Sequence, residues 1–472
     1  MNKIRVFFAG KGAPRAWEWF LLGLLLLLPF LSYFYGDTMS ILKYEVNFMG
    51  SLTEGGGWRS YYEYNRLKVE NGGPNGYGNY ATYDYPMYLV LGIWGIPLWF
   101  FLGSKGLEVN GYFLSRIYGK SVLLVALAIS AWLVYSICKE IKIDERKAKW
   151  GAFLFCSSIL TFTAIGINGQ TDILGIVFIL LGLKAYIKKK KLSFLIFFMI
   201  AFTFKQYALF IFVPLLLLIE KKVWKIGINT AAVFLLHVFS DWVFDPNSQA
   251  MIEKKNFELD IFNRLLANRL PLVNASVPVV GVLLLIVCLY CYLHKEIKEQ
   301  EEFYRLSIFV PLLAMAALFI SFESSSYWYL HLAPYLAIMA VYNSANVKKC
   351  IMFETAALVC LTLANYGSRP WAYEIYGCSG MLLEKIFGSY NAVETPFMLT
   401  DFCQKVPITK YAGAFYAVYV VLLMAVIWLS RPEKIQQSDE LPIRSYAWGR
   451  LWLNGAIICI PLVLFVYNVL FL

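Results

Sequence analysis

Charge is scarce in this chain. Asp, Glu, Lys and Arg supply 15% of its 472 residues, where a soluble globular protein carries about 25%, which excludes an ordinary water-soluble domain. The spacings of a zinc site, a P-loop and a glycine-rich dinucleotide fingerprint are also missing. The nine cysteines build no evident framework. Cys288 and Cys291 fall inside an apolar run and are expected as packed thiols, while Cys378 and Cys403 share one polar stretch and leave a disulfide between them open. What is abundant is apolar surface: 59% of the residues are hydrophobic and 17% aromatic. Mostly apolar stretches recur along the chain, many of them long enough to cross a hydrocarbon core of roughly 30 Å as helices. The class expected is an all-α polytopic membrane protein, with membrane lipids as its first partners. The net charge of +11 does not point to nucleic acid, because the basic residues form short clusters between apolar runs, as cytoplasmic loops do.

The pattern predicts about thirteen spans, at residues 17–36, 117–137, 150–166, 172–187, 192–204, 206–220, 224–240, 276–293, 304–321, 327–342, 350–366, 411–430 and 451–471. The first has no small-residue cleavage site after it and is expected as a retained span. With the N-terminus inside, the basic clusters at 139–149, 188–191, 221–225, 295–305, 348–349 and 431–450 all face the cytoplasm. The fifth and sixth spans are short and meet at Lys205, so they are expected partly inside the bundle. Pro86–Gly103 is apolar enough to cross, but a crossing would turn the next basic cluster outward. It is therefore expected as an interfacial helix, with Trp94 and Trp99 in it. A long external first loop over about 36–116 results, with turn-forming glycines at Gly55–Gly57 and Gly72–Gly76. A second external loop is expected over about 367–410.

Two acids bracket the first loop, Asp37 in Tyr35-Gly36-Asp37-Thr38 and Asp84 in Tyr83-Asp84-Tyr85-Pro86. These and three further segments resemble the membrane-embedded GT-C glycosyltransferases that use polyprenyl-phosphate sugars. Gly36-Asp37 followed by Glu45 and Gly50 looks like the acidic start of the first external loop of that family. Asp84-Tyr85-Pro86 is similar to the Asp-Tyr-Pro-Pro of the glucosyltransferases that extend the lipid-linked oligosaccharide of N-glycosylation, and to Tyr-Pro-Pro in bacterial mannosyltransferase-like relatives, with Met87 replacing the second proline. Asn168-Gly169-Gln170-Thr171-Asp172 matches a short polar loop, Phe204-Lys205-Gln206-Tyr207 followed by Pro214 a Lys-Gln element, and Tyr327-Trp328-Tyr329-Leu330-His331 with Pro334 the opening of a late span. The likeness covers residues 17–345 of an expected catalytic module at 1–345; 346–472 is expected as a C-terminal membrane region.

The resemblance implies an inverting transfer of a hexose from a polyprenyl monophosphate to an acceptor glycan, lipid or protein on the external face, most simply in a bacterial cytoplasmic membrane. Asp37 is then the base that takes the acceptor hydroxyl proton, and Asp84 a second acid or an anchor for the interfacial helix. The phosphate leaves already stabilised as an anion, so cations suffice on its side. Lys205 leads the candidates, followed by Arg269, His331 and Arg116, with Arg264 and Arg369 also in external segments. Gln170, Asp172, Gln206 and Tyr327 are candidate substrate-binding groups. Metal dependence stays open, since related enzymes differ, and a divalent cation fits only if the loop brings Asp37 together with Glu45 or Asp84. A flippase of lipid-linked sugars or a polysaccharide polymerase or ligase is the alternative, although no internal repeat of the transporter kind is visible.

Overall fold

The first apolar run ends in a near right angle. Helix α1 (Ala16–Ser32) contains Pro29 and stops at the extended residue Tyr33, and α2 (Gly36–Thr53) leaves at 83° to it. The buried ammonium of Lys120 donates to the carbonyls of Phe30 and Tyr33 at 2.6 and 2.5 Å, two of the acceptors that a helix leaves unpaired at its C-terminus. Asp37 sits in the first turn of α2, where the helix dipole favours an acid. The computed structural model describes residues 12–322, 324–368, 378–389, 399–439 and 442–471.

The chain is all-α, about 79% helical. After α2 come α3 (Tyr61–Asn71), α4 (Tyr85–Phe101), α5 (Phe113–Glu140), α6 (Glu145–Cys156), α7 (Asp172–Ile187), α8 (Lys191–Phe204), α9 (Ala208–Ile219), α10 (Val223–Val243) and α11 (Gln249–Leu265). A hairpin of β1 (Arg269–Pro271) and β2 (Ser276–Pro278) pairs Leu270 with Val277. Then follow α12 (Val279–Leu293), α13 (Gln300–Ser321), α14 (Ala333–Tyr342), α15 (Val347–Ser368), α16 (Ala412–Leu429) and α17 (Ile443–Phe471). Among the described residues five helical segments are long and apolar enough to cross a membrane: α5, α10, α13, Thr409–Leu429 and α17. The number rises to seven if the bent pairs α1 with α2, and α6 with Ile159–Ile167, each count as one span.

That is fewer than the thirteen apolar segments of the sequence, and for five of them the reason is length. The segments expected at 172–187, 192–204, 206–220, 276–293 and 327–342 fold as helices of 16, 14, 12, 15 and 10 residues, against the roughly 20 that a straight crossing needs. The segment 36–116 is also more ordered than a loop. It holds α2, α3 and α4, and the interfacial helix expected at 86–103 corresponds to α4, which starts at the N-cap Asp84 with Pro86 in its first turn, a position that costs a proline no hydrogen bond. Gly92 and Gly95 on α4 lie against Phe48 and the Glu45 backbone of α2, too close for a side chain.

The two regions divided at residue 345 are tied by buried polar contacts. Arg450 on α17 pairs with Glu354 on α15 at 3.0 Å and donates to the Leu154 carbonyl at 2.7 Å. Arg444 and Trp448 both reach Glu18 at the start of α1, at 3.0 and 2.7 Å. Cys378 and Cys403 are separate buried thiols, not a disulfide. The second is in the helix Leu399–Lys405, whereas the first precedes Ser379, whose carbonyl is held by Arg116. Arg369 and much of 367–410 lie outside the described residues.

Candidate active site

Asp37 reaches the wall of the largest described cavity, about 640 Å³ in volume, because the α1–α2 turn places the start of α2 there. The Gln170 side-chain amide donates to its Oδ2 at 2.7 Å and the Tyr327 hydroxyl to the same oxygen at 3.3 Å. A carboxylate has about four acceptor positions, so capacity remains for another donor. Gln170 arrives on a turn that follows a π-helical stretch, Phe162–Ile167, of the kind often found at functional sites. Gly169 shapes the turn. Its φ of +57° suits glycine, and a Cβ there would collide with Thr38, whose hydroxyl donates to the Asn168 carbonyl at 3.1 Å.

Beside this cavity lies a smaller one of about 70 Å³, lined by Tyr83, Asp84, Lys205 and Gln206 with Phe202, Phe204 and Trp328. Tyr83, Trp328, Phe257 and Ile261 border both cavities. Lys205 lies at the break between α8 and α9, its ammonium 3.4 Å from Asp172 and 3.3 Å from the Tyr83 hydroxyl, with the Tyr83 and Trp328 rings 4.9 and 5.7 Å away. His331 approaches the other oxygen of Asp172 at 3.4 Å. Asp172 and His331 are buried and border neither cavity. The short polar turn at 168–171 ends inside the bundle, so Asp172 faces Lys205 and His331 instead of solvent, and the Lys205 ammonium is held by Asp172 and the Tyr83 hydroxyl.

Asp84 is held from both sides. Its Oδ2 is 2.8 Å from His237 Nδ1 and its Oδ1 2.9 Å from Lys254 Nζ, and the same ammonium lies 2.8 Å from Asp241 and 2.7 Å from Glu258. These contacts join the start of α4 to α10 and α11. Burial disfavours the charge of Lys254, but Asp84, Glu258 and Asp241 outweigh it and raise its pKa above the ordinary lysine value. Asp84 thus ties the start of α4 to α10 and α11 while it also borders the smaller cavity. The segment before it is fixed by tyrosines: Tyr62 donates to the Tyr83 carbonyl at 2.6 Å and Tyr44 to the Tyr80 carbonyl at 2.7 Å.

Of the other expected cations, Arg116 and Arg269 stand apart from the cavities. Arg116 donates to the carbonyls of Asn110 and Ser379 at 2.6 and 2.7 Å, with the Phe34 ring 4.6 Å away. Arg269 lies exposed on the β-hairpin, bonded to the Leu266 carbonyl at 3.2 Å. Both hold backbone carbonyls, Arg269 a local one and Arg116 one local and one 263 residues away. Arg264 does border the larger cavity, 2.7 Å from Asp260.

A metal at Asp37 needs neighbouring carboxylates, and its two expected partners are placed elsewhere. Glu45 is two turns along the same helix, about 12 Å by the helical rise, and Asp84 is occupied by Lys254 and His237. Among the described residues the one group of three that could converge on an ion is Asp84, His237 and Asp241. The Lys254 ammonium already lies between its two carboxylates. Sequence reading missed this cluster. His237 within the apolar run of α10 was a signal, since ionisable groups in such runs mark functional or structural polar sites. Lys254 sits in a charged stretch and gave none. Comparison of the chain with family models, with curated proteins and with solved structures finds no match in any of the three.

Proposed function

We propose that this protein is an inverting, integral-membrane glycosyltransferase of the GT-C type, moving a hexose from a polyprenyl-phosphate donor to a glycan, lipid or protein acceptor at the external face of a bacterial cytoplasmic membrane. The observation that carries the reading is Asp37 on the wall of a large cavity, oriented by Gln170 and Tyr327, with a buried, acid-fixed lysine in the adjoining cavity. In this reading Asp37 accepts the acceptor hydroxyl proton as that oxygen attacks the anomeric carbon. The bond from that carbon to the phosphate oxygen breaks with inversion, and the electron pair leaves on the phosphate. An ammonium has three donors. Asp172 and Tyr83 take two of Lys205's, leaving one for a phosphate oxygen, and Phe202, Phe257 and Ile261 offer apolar contact to the prenyl chain. The shared wall of Tyr83 and Trp328 is where the sugar would pass between the two.

The thirteen-span topology with basic loops inside belongs to the same proposal, the shorter helices crossing where the bilayer thins locally and flanking Lys and Arg side chains snorkel to the interface. The test is transfer from radiolabelled polyprenyl-phosphate hexoses by the purified protein in nanodiscs, wild type against Asp37→Asn. Transfer that depends on Asp37 supports the reading. Equal transfer by both removes Asp37 as the base, and donor binding without transfer to any acceptor favours a flippase.

A further inference from the structure

A third cavity, of about 400 Å³, lies far along the chain from Asp37, between α12, α13 and α16. Phe309 and Leu313 of α13 border it together with Tyr290 of α12 and Trp428 of α16. At the end of α16 the Arg431 guanidinium lies 3.4 Å from the centre of the Trp428 ring, and the Lys434 ammonium 5.9 Å from the same ring. Arg431 has no ion pair among the described residues, and its Nε is buried without a hydrogen-bond partner. Glu433 also borders the cavity but pairs with neither cation. The nearby Arg305 pairs with Glu301 and donates to the Pro432 carbonyl, with its Nε also buried without a partner.

We propose that this cleft binds an anionic phospholipid, its phosphate on Arg431 and Lys434 and an acyl chain along Phe309 and Leu313. The charge and the shape agree. A guanidinium flat on an aromatic ring keeps its in-plane N–H groups available for a phosphate, which it can take with two parallel hydrogen bonds. An apolar slot directly under that cation suits a ligand carrying both an anion and a hydrocarbon tail, and basic pockets between membrane helices take anionic lipid headgroups. A free phosphate ion would leave the apolar slot unfilled.

The experiment uses the full chain in detergent, titrated with phosphatidylglycerol, phosphatidylcholine or inorganic phosphate, and reads bound lipid by native mass spectrometry and Tm by tryptophan fluorescence. Phosphatidylglycerol is expected to bind at least about fivefold tighter than phosphatidylcholine and to raise Tm, with Arg431→Gln removing most of that preference. Leu313→Trp, which fills the slot, is expected to weaken both lipids. If Arg431→Gln does not fold, Lys434→Gln and Leu313→Trp decide. Equal affinity for the two lipids, phosphatidylglycerol binding that survives both the charge and the slot variants, or the same Tm gain from inorganic phosphate alone would each overturn the proposal.

Discussion

The buried pair of Lys205 and Asp172 offers a quantitative test that does not depend on any substrate. Its atoms are 3.4 Å apart, with Asp172 inaccessible and Lys205 nearly so. At an effective dielectric constant of about 20, two unit charges at that distance attract by about 5 kcal/mol. Desolvation of both ions offsets part of this. Removing one partner leaves the other charge buried and uncompensated, so Lys205→Met or Asp172→Leu alone is expected to destabilise by about 3–5 kcal/mol. In the double variant neither charge remains, and the loss should be smaller than the sum of the singles by about 2–4 kcal/mol, within the scale of such buried couplings. His331 would limit the recovery, since it also faces Asp172. The assay is a double-mutant cycle on the detergent-solubilised protein by denaturant titration, followed by tryptophan fluorescence. A coupling below about 0.5 kcal/mol, the scatter of independent sites, would refute the picture of a mutually fixed pair and free Asp172 for the substrate role that the sequence suggested.

Three further outcomes are expected. Gln170→Ala removes a hydrogen bond to a carboxylate, worth roughly 1.5–3 kcal/mol, so sugar transfer should slow by about 10- to 150-fold; Gly169→Ala should slow it too, by forcing the turn away from Thr38, and both are read as kcat in the nanodisc assay. Glu354→Ala should destabilise by about 3–5 kcal/mol by stranding buried Arg450, whereas Glu354→Leu with Arg450→Met should cost far less, as measured by the same denaturant titration. Lys254 has its folded pKa raised above the unfolded value, so the stability it contributes is complete below about pH 10 and is lost as pH rises through the folded pKa. Lys254→Met should accordingly lower stability at neutral pH and flatten its decline in alkali, seen as Tm against pH.

Much of the site was legible before any tertiary contact was known, and for a physical reason. In a chain this poor in charge, a polar residue next to an apolar run needs a partner or a function, so Asp37, Asp84, Gln170, Asp172, Lys205 and His331 stood out. Period and composition also fixed the helical class. Their roles did not follow from the same reasoning. Asp172 and Gln170 are two residues apart, yet one faces Lys205 in the interior and the other borders the cavity, a difference set by the turn at Gly169. Arg116 and Arg269 looked like phosphate ligands, and the fold assigns them to carbonyls beyond the cavities.

The sequence by itself determined that the chain is helical and membrane-type, where α4 begins, and which polar groups need explaining, because hydrophobicity, proline geometry and the cost of unpaired charge act locally. Only the tertiary structure decided which charges meet. Asp84 finds Lys254 at a sequence separation of 170, and Asp37 finds Tyr327 at one of 290. Such pairings depend on how the helices are stacked and where α1 turns into α2, and no local propensity encodes that. The span count lies between the two: apolar runs are visible in the sequence, but helix length, bends and breaks set which of them reach across a bilayer.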